Sequence, residues 1–76
     1  MMNTFENFVF EDECFTKDEK KGVKAAKKAL KKLDVITKDD IQDLRDVVFE
    51  KTTNADYLNG YCSVLDQAIS QMVLVA

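Results

Sequence analysis

The side chains in this 76-residue sequence whose types could do chemistry are two thiols, Cys14 and Cys62, the hydroxyl of Ser63, two acidic clusters and a run of lysines. Nucleophilic catalysis needs a nucleophile, a base to activate it and a group to orient the base. The chain has no histidine. Cys62 falls on the apolar side of a helical period, so a buried, protonated thiol is expected there rather than a reactive thiolate. Structural zinc takes Cys and His in groups of three or four, which two separated cysteines cannot assemble. The acidic groups Glu11, Asp12, Glu13 and Asp39, Asp40, Asp43 have neither the alternating oxygen ligands nor the central glycine of an EF-hand loop, and read as solvated caps and helix faces. Gly22 and Gly60 are isolated, so no glycine-rich phosphate loop is present. The residue types therefore predict no enzyme, no cofactor and no metal.

The lysines are the strongest signal. Lys17, Lys20, Lys21, Lys24, Lys27, Lys28, Lys31 and Lys32 are eight of the eleven basic residues, and only Asp18 and Glu19 oppose them within that stretch. The rest of the chain carries three basic and twelve acidic residues, so a net charge of −3 conceals a divided molecule. At 100° per residue the eight lysines occupy an arc of roughly 140°, opposite Gly22, Val23, Ala25, Ala26, Ala29, Leu30 and Leu33. Such a face can neutralise several phosphates. Yet it has no arginine, asparagine, glutamine or aromatic to read or stack on a base, and the overall pI is about 4.8. Nucleic-acid binding is thus the second choice for this face. The apolar side is mostly alanine and glycine, which favours close packing of a neighbouring helix and disfavours an interfacial membrane helix.

The elements that hold these residues announce themselves by their caps. Thr16-Lys17-Asp18-Glu19 reads as a capping box, Thr37-Lys38-Asp39-Asp40 repeats the pattern with Ile36 and Ile41 as a staple around it, and Asn54 before Ala55 and Asp56 is a third N-cap. The expected fold is all-α: one small three-helix bundle with helices over 17–33, 38–52 and 55–73, preceded by an aromatic N-terminal arm or short extra helix over 1–15. Phe5, Phe8, Val9, Phe10 and Phe15 fit either helical or extended spacing. An arm closing one end of the bundle is the expectation.

The second helix places Ile41, Leu44, Val47 and Val48 on one side and an acidic stripe, Asp39, Asp43, Asp46 and Glu50, on the other; Phe49 lies off the apolar face, either against the aromatic arm or exposed to a partner. The third helix is the most apolar: Tyr57, Leu58, Tyr61, Cys62, Val64, Leu65, Ala68, Ile69, Met72 and Val73 cover about half of its circumference as the packed face, and it carries only Asp56 and Asp66 as charges. The closing Leu74 and Val75 either tuck into the core or form an interaction patch. The opening residues lack the basic and apolar regions of a signal or transit peptide, and no apolar run reaches the roughly eighteen residues of a membrane span. A cytoplasmic address with reduced cysteines follows; a Cys14–Cys62 disulfide would go with export.

These features predict a small acidic protein-interaction module, an inhibitor, regulator or phage-like accessory factor, that binds another protein and forms a homo-oligomer, most simply a dimer. The surfaces it offers are the lysine face, the acidic stripe and apolar anchors drawn from Phe5, Phe8, Phe10, Phe49, Leu74 and Val75.

Overall fold

The computed structural model describes residues 4–11 and 16–72. They form three α-helices, α1 (Lys17–Lys31), α2 (Lys38–Lys51) and α3 (Ala55–Gln71), after a 3-10 turn at Phe5–Asn7. No strand occurs among the described residues. The all-α three-helix architecture is the one expected, and each helix begins at its predicted cap. The Thr16 hydroxyl accepts from the Glu19 N–H at 3.1 Å. Thr37 and Asp40 bond in both directions at 3.1 Å, a complete capping box. Asn54 Oδ1 accepts from the Tyr57 N–H, and its Nδ2 donates to Asp18 Oδ2 at 3.1 Å, which ties the start of α3 to the start of α1. α1 and α3 therefore begin at the same end of the bundle, with α2 returning between them.

The helix ends differ slightly from expectation. α1 stops at Lys31 because Leu33 N–H bonds to Leu30, the tighter pattern that closes a helix. α2 stops at Lys51 because Thr52 turns extended, and α3 at Gln71 because Met72 does.

The core is built on the contact between α1 and α3, much the larger of the helix interfaces. Ala26, Leu30, Val64, Leu65 and Ala68 are fully buried there, and Ile36 and Ile41 close the core beneath the second cap. Two glycines set its spacing. A Cβ on Gly22 would be driven into the carbonyl oxygen of Tyr57, and one on Gly60 into the carbonyl of Glu19. Neither glycine has positive φ, so the requirement is space for the facing backbone rather than an unusual conformation.

The arm starts at the end of the bundle where α1 and α3 finish, as expected, with Thr4, Phe5 and Glu6 lining a groove beside Lys31, Leu33 and Asp34. After the 3-10 turn it runs extended along α3, held by two glutamines. Val9 donates its N–H to Gln71 Oε1 at 2.8 Å and accepts from Gln71 Nε2 at 2.7 Å. Glu11 repeats the exchange with Gln67, at 2.7 Å and 3.4 Å. Two residues of extended chain advance about 6.7 Å and four residues of helix about 6 Å, so alternate arm residues meet successive turns of α3. The same alternation sends Phe8 inward and leaves Val9 75% exposed. The outcome combines both arrangements that the aromatic spacing allowed: a short helical turn, then an extended strap.

Candidate functional site

The candidate surfaces are the outward faces of α1 and α2. On α1 the buried residues are Gly22, Val23, Ala26 and Leu30. Lys17, Lys21, Lys24, Lys28 and Lys31 lie diametrically opposite, spaced four, three, four and three residues apart, and all are exposed. None of the five has an ion-pair partner among the described residues. Lys20 and Lys32 flank the row, also exposed. Lys27 differs from the rest: it is half-buried, with its ammonium nitrogen 5.6 Å from the centre of the Phe10 ring. One lysine of the predicted face is thus committed to holding the arm.

On α2 the packed side is Ile41, Leu44 and Val48, and Asp39, Asp43, Asp46 and Glu50 form a ridge on the far side, all four exposed. No described residue forms an ion pair or hydrogen bond with their carboxylates. The carboxylate of the remaining α2 acid, Asp40, is occupied in the cap. Two apolar side chains straddle the ridge. Phe49 on one flank is 53% exposed, which settles its position away from the arm's aromatics, and Val47 on the other is 43% exposed. Val47 was expected in the core. α2 packs against the bundle less extensively than α1 does, so the edge of its apolar stripe stays uncovered. There Val47 lines an open groove of about 360 Å³ with Val48, Lys51, Tyr57 and Tyr61, the two tyrosine rings stacked at 6.2 Å.

Among the other apolar anchors, Phe8 is corrected by its burial. Phe8 is 8% exposed and belongs to the core, while Phe5 and Phe10 are half-buried against it and against each other at 5.7 Å. Phe8 is thus withdrawn from solvent, while Phe5 and Phe10 keep part of their rings exposed. Leu74, Val75, Phe15 and Cys14 lie outside the described residues. Ile69, expected on the packed face of α3, is 36% exposed.

Chemistry at the remaining polar side chains is muted. Cys62 is half-buried, and desolvation raises its pKa against the opposing pull of nearby Arg45, with Asp66 reinforcing the rise; its thiol stays protonated at neutral pH. Burial likewise raises the Tyr61 phenol, with smaller contributions from Tyr57 and Cys62. Arg45, the single arginine, bridges α2 to Asp66 on α3. Among the described residues no three carboxylates or thiols gather where they could hold a metal ion. No described helix is long and apolar enough to cross a membrane.

The fold and surface together define a small all-α bundle with a basic row on its first helix and an acidic, apolar-flanked ridge on its second. Compared with protein-family models, curated proteins and solved structures, the chain matches none.

Proposed function

We propose that this protein is a non-enzymatic binding module that docks another protein on the outer face of α2, acting as an inhibitor or accessory factor. The observation that carries the proposal is the pairing of an acidic ridge without a partner among the described residues, Asp39, Asp43, Asp46 and Glu50, with the exposed apolar side chains Phe49 and Val47 on its two flanks. Charge of one sign attracts and orients a basic partner over a Debye length, roughly 8 Å at physiological salt. Covering an exposed aromatic then supplies the short-range attraction: completing the burial of Phe49 contributes about 1 kcal/mol. The fold supports this division of labour, since neither the ridge nor Phe49 is engaged in holding the helices together.

Affinity capture with the wild-type chain and with a Phe49→Ala/Asp46→Lys variant tests the proposal. A partner protein retained by the first and lost from the second supports it; a partner set unchanged by the variant contradicts it.

A second reading, non-specific binding of a polyanion by α1, is favoured by one observation: Lys17, Lys21, Lys24, Lys28 and Lys31 form a straight row without acidic partners among the described residues. It ranks below the first because the protein carries net charge −3 and its single arginine is tied to Asp66. A mobility shift with duplex and single-stranded oligonucleotides at about 50 mM salt decides it, since phosphate contacts by several lysines are strongest there.

A further inference from the structure

We propose that the lysine row of α1 is a docking surface for the α2 ridge of a second copy of this chain. The inference rests on the reading of α2 as a docking element and names a partner for it. Lys17, Lys21, Lys24 and Lys28 are spaced four, three and four residues apart, and Asp39, Asp43, Asp46 and Glu50 repeat that spacing. All eight side chains are exposed, and none has a charged partner among the described residues. Each row spans about 16.5 Å at the helical rise. The order four, three, four is the same from either end, so the rows match whether the two helices lie parallel or antiparallel.

Like charges at these spacings repel along each helix face. Laying one row along the other relieves both repulsions together, which no contact among the described residues of one molecule does. The flanks of the ridge add to the fit. Phe49 can lie on the methylene stems of the lysines with an ammonium group over its ring, the arrangement that Lys27 and Phe10 already make within the chain. Exposed ion pairs are individually weak and screened by salt, so the association is a low-affinity, electrostatic one.

Light scattering on the purified chain tests this directly. At about 10 mM salt, where charges act over roughly 30 Å, the average mass is expected to rise above 8.7 kDa with protein concentration, and at about 1 M, where they act over roughly 3 Å, to return to it. The Lys21→Gln/Lys24→Gln/Lys28→Gln variant should remain monomeric at low salt. A Lys32→Gln/Lys38→Gln/Lys51→Gln variant, with the same net charge but an intact row, should associate as the wild type does. Should the first variant lose its helical circular dichroism, Asp43→Asn/Asp46→Asn/Glu50→Gln interrogates the same contact from the ridge side. A monomer at every salt concentration overturns the inference, as does equal loss of association in the two lysine variants. Capture of a different protein by a ridge that does not self-associate would overturn this inference while leaving the docking role of α2 standing; failure of both removes both.

Discussion

Gly22 and Gly60 lie on opposite sides of the α1–α3 crossing, and each faces the backbone of the other helix so closely that neither position has room for a Cβ. This reciprocal contact explains how a first helix with few bulky apolar residues can anchor a fold of this size. With alanine and glycine at the crossing, the helices approach closely and Val23, Leu30, Val64 and Leu65 pack around the contact.

Gly22→Ala and Gly60→Ala should therefore each destabilise the protein. In an exposed helix the substitution would stabilise by up to about 1 kcal/mol. Here the added methyl meets backbone rather than a movable side chain end, and overpacking of this kind costs about 1–3 kcal/mol. At about 2 kcal/mol, the melting temperature of a domain this size falls by about 8–16 °C. A melting temperature that rises in either variant would contradict the close crossing.

The glutamine clasp gives a second prediction. Gln67→Ala/Gln71→Ala removes the side-chain partners of Val9 and Glu11, each hydrogen bond contributing about 0.5–1.5 kcal/mol. Amide hydrogen exchange at Val9 and Glu11 should accelerate more than tenfold while exchange in the middle of α3 changes little. Unchanged protection at both amides would show that the aromatic contacts alone hold the arm.

Stability should fall on the alkaline side. Cys62 and Tyr61 both have pKa values raised in the folded protein. Folding therefore favours their neutral forms, a stabilisation fully present below the unfolded values of about 8.5 and 10 and lost as pH rises through the higher folded ones. Thermal melts between about pH 8 and 11 should show a decline that is shallower in Cys62→Ala and Tyr61→Phe, both of which remove a titrating group. An identical decline in both variants would assign it to other groups.

Much of the fold was legible in the residues. Thr16, Thr37 and Asn54 each start a helix where their side chains can satisfy the first-turn amides, a local requirement that local spacing reveals. The small face of α1 was legible as well, but its fit to Gly60 was not, because nothing in one helix states which turn of another it meets. The course of the arm was hidden for a similar reason: its clasp joins residues 62 and 56 positions apart, and Gln67 and Gln71 look like ordinary surface residues. Helical periodicity correctly separated both charged rows from the core, yet it misplaced Val47 and Ile69, since it gives the direction of a side chain and not how far the neighbouring helix extends to cover it.

The most direct measurement of the docking role of α2 is quantitative affinity capture from cells that make this protein, comparing the wild type, Phe49→Ala/Asp46→Lys and Lys21→Gln/Lys24→Gln/Lys28→Gln at equal loading. The account predicts a protein partner whose yield falls at least tenfold with the α2 variant, the combined effect of losing Phe49 burial and reversing a ridge charge, and changes far less with the lysine variant. Partners retained in full by the α2 variant, or nucleic acid recovered in a manner that depends on the three lysines, would contradict it.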